Sequence, residues 1–167
     1  DGVTCDKLAS TLDILPTFAA LAGTTPPKDR HIDGEDISNL FHGQLNKANP
    51  AKAFYYYLRI HLQAVRQGQW KLHLPRDKEP TGAAPFSRNT HIGPKDRIGF
   101  SKPFLVDLEN DIGETTDVSD ENPNIVNRLL TLAESMREDL GDFDQVGKNM
   151  RFYDLTGKRP SKPPVPA

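Results

Sequence analysis

Residues 62–74, Leu-Gln-Ala-Val-Arg-Gln-Gly-Gln-Trp-Lys-Leu-His-Leu, constrain the fold more than any other stretch. Val65, Trp70, Leu72 and Leu74 are apolar, Lys71 and His73 alternate with the last three, and Gly68 sits where a reversal is needed. Alternation of this kind marks a half-buried strand, and a glycine between two such runs marks a hairpin. With a two-residue loop at Gln67-Gly68, Val65 falls opposite Trp70 on one face. A tight hairpin is scaffold, and nothing beside it has the make-up of a complete catalytic site.

The elements after it extend the same layer. Residues 54–58 form an aromatic strand, and alternation puts Tyr56 on the face opposite Tyr55 and Tyr57. Phe104-Leu-Val-Asp-Leu108 is a fourth strand, followed by a charged turn over 109–114 that contains Gly113. Residues 122–140 read as the strongest helix. Pro123 suits its first position, Asn122 its cap, and Ile125, Leu129, Leu132, Ala133, Met136 and Leu140 lie on one stripe. The expected fold class is α+β: a four-stranded antiparallel sheet packed on a long C-terminal helix, preceded by helical pieces of a larger α/β domain. Residues 51–141 make up this ββββα subdomain. Residues 142–167, ending in Lys-Arg-Pro-Ser-Lys-Pro-Pro-Val-Pro-Ala, read as an extended Pro-rich tail.

Residues 1–50 do not complete a domain. A helix over 13–22 has Asp13 as its expected cap, Pro16 in its first turn and Gly23 after its end. Ile14, Leu15, Phe18, Ala19, Leu21 and Ala22 cover so much of its surface that it should be largely buried. The partner for that surface is not evident in the sequence. Residues 3–10 are weakly strand-like. Asp36 is placed to cap a short helix through Ile37, Leu40 and Phe41, closed by Gly43. The polar opening without Met is the expectation for a piece of a longer protein.

Composition removes several function classes. The net charge is −2, and the basic residues are interleaved with acids, so there is no basic face for nucleic acid. No run approaches the roughly 18 apolar residues of a membrane span. Cys5 is the only cysteine, which excludes an internal disulfide and a multi-cysteine metal site. With 36% hydrophobic residues, 14 Pro and 12 Gly, the core should be modest and the turns many.

Local chemistry is sparse. His61 and His73 fall on neighbouring strands, but a zinc site needs three or four ligands and no acid or cysteine completes the set. Residues 75–103 form a long polar loop in which His91 stands with Arg88, Lys95 and Arg97, a cationic set suited to an anionic ligand. Asp77, Glu79 and Asp96 dilute that charge. Glu109, Asp111 and Glu114 lack the spacing of a calcium loop and read as a wet turn. There is neither a nucleophile elbow nor a phosphate-cradling glycine loop.

The order of blocks resembles the C-terminal portion of type I sulfatases, the formylglycine-dependent enzymes of the alkaline phosphatase superfamily. The resemblance rests on Ser10-Thr-Leu-Asp-Ile-Leu-Pro-Thr-Phe-Ala-Ala-Leu-Ala-Gly23, Asp29-Arg-His-Ile-Asp-Gly-Glu-Asp36, Phe54-Tyr-Tyr-Tyr57, the 62–73 hairpin and Leu105-Val-Asp-Leu-Glu-Asn-Asp-Ile-Gly-Glu114. The helix after Pro123 and Arg137-Glu-Asp-Leu-Gly141 also match. The spacing looks most like the arylsulfatase A and N-acetylgalactosamine-6-sulfatase branch.

The resemblance implies sulfate-ester hydrolysis by a protein of which this chain is a structural C-terminal piece. In such enzymes a Cys or Ser in a Cys/Ser-x-Pro-x-Arg motif becomes formylglycine, and Ca²⁺ binds the sulfate. Cys5 is followed by Asp6, Lys7, Leu8 and Ala9, and Ser101-Lys-Pro-Phe-Leu105 has Leu in place of Arg, so neither fits. No catalytic residue and no metal ligand is carried over. Ca²⁺ and formylglycine are expected in an N-terminal catalytic domain, the implied partner along with a sulfate-ester substrate, and the chain alone is expected to be inactive. His91, then Arg59 and His61, are the candidates for the substrate rim. A periplasmic, secreted or lysosomal location is expected for the family, without nucleic-acid or membrane partners. The competing readings are an independent sulfated-glycan binding module and a piece of a related phosphatase or phosphonate hydrolase.

Overall fold

A computed structural model describes residues 4–47, 52–58, 60–75, 101–142 and 145–150. The chain divides into two compact units, residues 1–52 and 53–167, each of which is described by itself.

In the first unit, a short 3-10 turn at Thr11–Asp13 runs into helix α1 (Ile14–Leu21). Ser10, not Asp13, begins this helical segment. The Ser10 hydroxyl accepts from the Leu12 amide, and the Asp13 carboxylate accepts from the Ser10 amide at 2.7 Å. Residues 4–10 form no strand. Helix α2 (Ser38–Phe41) follows; Ile37 rather than Asp36 is its N-cap, and Asp36, one residue earlier, accepts from the Ser38 amide at 2.8 Å.

The buried Asp13 side chain ties the unit together. It also accepts from the Glu35 amide at 2.9 Å and from Lys52 Nζ at 2.5 Å. Thr17, equally buried, accepts from the Ile37 amide at 3.0 Å. Gly34 lies so close to Leu12 that a Cβ there would sit 1.9 Å from the Leu12 carbonyl oxygen. Burial of α1 differs from expectation. Pro16 and Thr17 are inside, whereas Ile14, Leu15, Phe18 and Leu21 are each at least half exposed. The all-round apolar pattern exceeds what this short unit can cover.

The second unit is the expected two-layer α+β arrangement. Strands β1 (Ala53–Leu58), β2 (His61–Gln67), β3 (Trp70–His73) and β4 (Phe104–Asp107) form an antiparallel sheet in sequence order. Helix α3 (Pro123–Asp139) packs on one face. Leu62, Val65, Leu72, Leu74 and Leu105 from the sheet side meet Leu129 and Ala133 of the helix, all fully buried. Tyr55, Tyr57, Trp70, Ile125, Leu132 and Met136 close around them. Burying each large aliphatic side chain of such a layer is worth about 1.5–3 kcal/mol, which makes this seam the main source of cohesion. Asn122 precedes Pro123 but makes no side-chain cap; its side-chain Nδ2 donates to the Val118 carbonyl instead.

The hairpin register is two residues away from expectation. Gln67 pairs with Trp70 and Val65 with Leu72, so the turn is Gly68-Gln69. Gly68 has φ +61°, and glycine at the first turn position permits the mirror-image turn that matches strand twist. A shift of two, unlike a shift of one, leaves every side chain on its face. A bulge between Tyr56 and Tyr57 re-registers β1 against β2. Beyond α3, Gly141–Asp142 (β5) and Gln145–Val146 (β6) pair as a small antiparallel ribbon. Lys148 and Asn149 amides then return to the Glu138 and Asp139 carbonyls. At the start of the expected extended tail the chain therefore folds back, while residues 151–167, with the Pro-rich end, lie outside the described residues.

Candidate functional site

Of the three candidate rim residues, His91 and Arg59 lie outside the described residues. His61 is described, and its surroundings are built. It opens β2, with its side chain only 14% exposed. Its Nδ1 lies 3.3 Å from the Leu62 carbonyl oxygen and 3.7 Å from an oxygen of Asp142. The Asp142 carboxylate accepts from the Leu62 amide at 3.0 Å and from Arg137 Nε at 2.7 Å, and Arg137 also pairs with Glu134. The adjoining Gly141 carbonyl accepts from the Tyr57 hydroxyl at 2.8 Å. Burial, with the nearby Asp142 charge, pushes the Tyr57 phenol up to about 12. The cluster joins the end of α3 to the start of β2, and its polar groups face one another.

A second cluster lies on the sheet face opposite the helix. Alternation along β3 turns Lys71 and His73 to this side, because Leu72 and Leu74 turn to the core. Register places Lys71 beside Val106 and His73 beside Phe104. Lys71 donates to both oxygens of Glu114, at 2.6 and 2.8 Å, and His73 Nε2 is 2.6 Å from one of them. The ammonium also sits 4.7 Å from the centre of the Tyr56 ring, and the His73 ring meets Phe104 edge-on at 6.0 Å. Burial of Glu114 opposes its ionisation, but the Lys71 and His73 hydrogen bonds outweigh that and hold its carboxyl below the ordinary glutamate range.

In the sequence Glu114 reads only as one of three acids, with Glu109 and Asp111, in a wet turn. The alternation exposing Lys71 and His73 on one face was the available signal that an acid should meet them. His61 and His73 share no acid: one lies beside Asp142, the other beside Glu114. Among the described residues no three His, Cys, Asp or Glu side chains converge as a metal site, and no helix is long and apolar enough to cross a membrane. Cys5 is exposed. The described residues do not fit a calcium site or a formylglycine motif, so no chemical step is assigned to them.

The family model for the C-terminal region of aryl-sulfatase matches residues 49–165. The chain belongs to the aryl-sulfatase C-terminal family. An arylsulfatase of Hemicentrotus pulcherrimus is 34% identical over 122 residues, covering 65% of this chain and 22% of the relative. Arylsulfatase A of Bos taurus is 30% identical over 146 residues, covering 86% of this chain and 28% of the relative. A solved structure of Bacteroides thetaiotaomicron, described with the metabolism of multiple glycosaminoglycans, is 26% identical with a TM-score of 0.57, covering 78% of this chain and 26% of the other. The chain thus spans less than a third of each of these relatives. Within the sulfatase C-terminal match lie the whole sheet, α3 and both polar clusters.

Proposed function

We propose that this chain serves a sulfuric ester hydrolase as its C-terminal structural region, bordering the substrate pocket while an N-terminal catalytic domain performs the chemistry. The family match carries the reading. The nucleophile and any metal would reside in the catalytic domain, because neither a fitting cysteine motif nor a converging ligand set occurs among the described residues.

Helix α1 and the turn before it support such a partner. Leu12, Ile14, Leu15, Phe18 and Leu21 are 50–63% exposed, a run of large apolar side chains that water disfavours. Together they suit the interior of a larger α/β domain. In this reading His91, Arg59 and His61 belong to the substrate rim, with His61 held against Asp142 rather than reaching freely.

The test is hydrolysis of p-nitrophenyl sulfate. The 167-residue chain alone should show no turnover above buffer, whereas the sulfatase that contains it should turn the ester over. Sustained hydrolysis by the purified chain, surviving a second chromatographic step, would overturn the division of labour. A containing protein that cleaves phosphate esters and not sulfate esters would overturn the reaction class.

A further inference from the structure

We propose that the outer edge of β1 pairs with the same edge of a second copy of this chain, joining two four-stranded sheets across a two-fold axis. The sheet runs β1-β2-β3-β4, so its outer strands are β1 and β4. The β4 edge is covered from within the chain. The Val118 amide donates to the Leu105 carbonyl at 2.9 Å, and the Asp117 carboxylate accepts from the Leu105 amide at 3.1 Å. The β1 edge has no such cover among the described residues, where the backbone of 53–58 bonds to β2 alone. Its outward N–H and C=O groups form an open template for another extended strand.

The side chains of that edge select its occupant. Outer strands are ordinarily kept apart by a charge, a proline or a distortion. The six residues of β1, Ala-Phe-Tyr-Tyr-Tyr-Leu, carry neither charge nor proline. Their one distortion, the bulge, falls between Tyr56 and Tyr57 and leaves residues 53–56 in unbroken register with β2. An uncharged edge meets no repulsion from its own copy. Antiparallel pairing about an axis through Tyr55 keeps the faces matched: Tyr55 meets itself on the helix side, and Phe54 meets the partner's Tyr56 on the other. Phe54 and Tyr56 already contact edge-on within the chain, with ring centres 4.9 Å apart, so the pairing continues one aromatic row across the axis. Aromatic pairs are favoured cross-strand neighbours. Two identical edges also satisfy each other's hydrogen bonds reciprocally, which is the isologous contact of a closed dimer.

A strand edge alone falls short of the roughly 800 Å² per partner of a stable interface. Apolar surface at the Tyr57 end of β1 extends it. The Tyr57 hydroxyl donates to the Gly141 carbonyl, which brings the β5–β6 ribbon to that end. Leu140 precedes Gly141 and Val146 pairs with it, while Ile60 lies in the turn that leaves β1. All three side chains are exposed.

Sedimentation velocity and amide hydrogen exchange on the sulfatase that contains this chain test the pairing. Neither needs turnover, so the result is independent of the sulfatase reading. At tens of micromolar the protein should sediment as a dimer. Exchange at residues 54–56 should quicken about tenfold on dilution to monomer, while residues 64–66 of the inner strand β2 stay within about twofold. Phe54→Glu should raise the dissociation constant about tenfold or more, because like charges then share one face of the joined sheet. The fold accommodates that acid, since register sets Arg66 opposite residue 54 within the chain. Tyr56→Glu, beneath the Lys71 ammonium, should act alike, and serves if the first variant fails to fold by circular dichroism. A monomer at every concentration would overturn the proposal, and protected amides at 54–56 in that monomer would give the edge to a strand of its own catalytic domain. A dimer unmoved by both variants, or exchange at 54–56 unmoved by dilution, would place the contact elsewhere and overturn it equally.

Discussion

Replacing Asp142 by alanine should destabilise the sheet–helix unit by about 3–5 kcal/mol, the range for breaking a buried charged pair. The magnitude follows from what the carboxylate does. Its side chain is 8% exposed and accepts from Leu62 N–H at 3.0 Å and from Arg137 Nε at 2.7 Å. Leu62 is fully buried, so alanine leaves its amide without that acceptor, at about 1–3 kcal/mol. The bond to Arg137 is charge-assisted and worth about 1.5–3 kcal/mol; Arg137 is 20% exposed, so water recovers part of it. Asp142→Asn keeps an oxygen for Leu62 and loses the charge, so it should cost about 1–2 kcal/mol. Urea unfolding of the full chain, followed by far-UV circular dichroism with a common m-value, measures both. A cycle with Arg137→Ala should show a coupling of about 1–2 kcal/mol. Asp142→Ala within about 0.5 kcal/mol of the parent would refute the reasoning, because that is the range of an ordinary surface change. Asparagine as harmful as alanine would show that charge, not the amide acceptor, dominates.

Leu72→Ala removes a fully buried side chain from the middle of the seam with α3 and should cost about 2–5 kcal/mol in the same assay. Acid should weaken both units. Burial opposes ionisation of Asp13, yet Lys52 and the Glu35 and Ser10 amides lower its carboxyl overall; Glu114 is lowered against the same burial by Lys71 and His73. A carboxyl depressed in the folded state adds stability that is present above the unfolded value, about pH 4, and lost as pH falls through the folded one. Melting temperature should therefore drop steeply below about pH 4, and Glu114→Gln should flatten that drop; an unaltered acid slope in the variant would contradict the pairing.

Periodicity made the second unit readable. The two-residue repeat in 70–74 and the helical stripe from Ile125 to Met136 each demand one apolar face, and the structure puts those faces together. The hairpin register was less determined. Gly68 can occupy either turn position, and both registers keep Val65, Trp70 and Leu72 on the core side, so the apolar pattern cannot separate them. The pairing of Gln67 with Trp70 puts Gly68 at the first position, where its φ of +61° fits the mirror-image turn.

What stayed hidden depends on groups far apart in sequence. Asp142 meets Leu62 across 80 positions, and Glu114 meets Lys71 across 43. Nothing local to an Asp after Gly141, or to a Glu in an acidic turn, distinguishes a bridging carboxylate from a solvated one. Helix α1 failed as a burial prediction for a related reason. Its apolar residues state that a cover is needed but not which chain supplies it, and the first unit provides cover only for Pro16 and Thr17. The same logic bears on His61. The resemblance makes it a rim candidate, and its strand end is also where α3 returns, with Asp142 on that return within 3.7 Å. A histidine at the edge of one element is thus made part of a clasp by the arrival of another, which the register of β2 alone could not reveal.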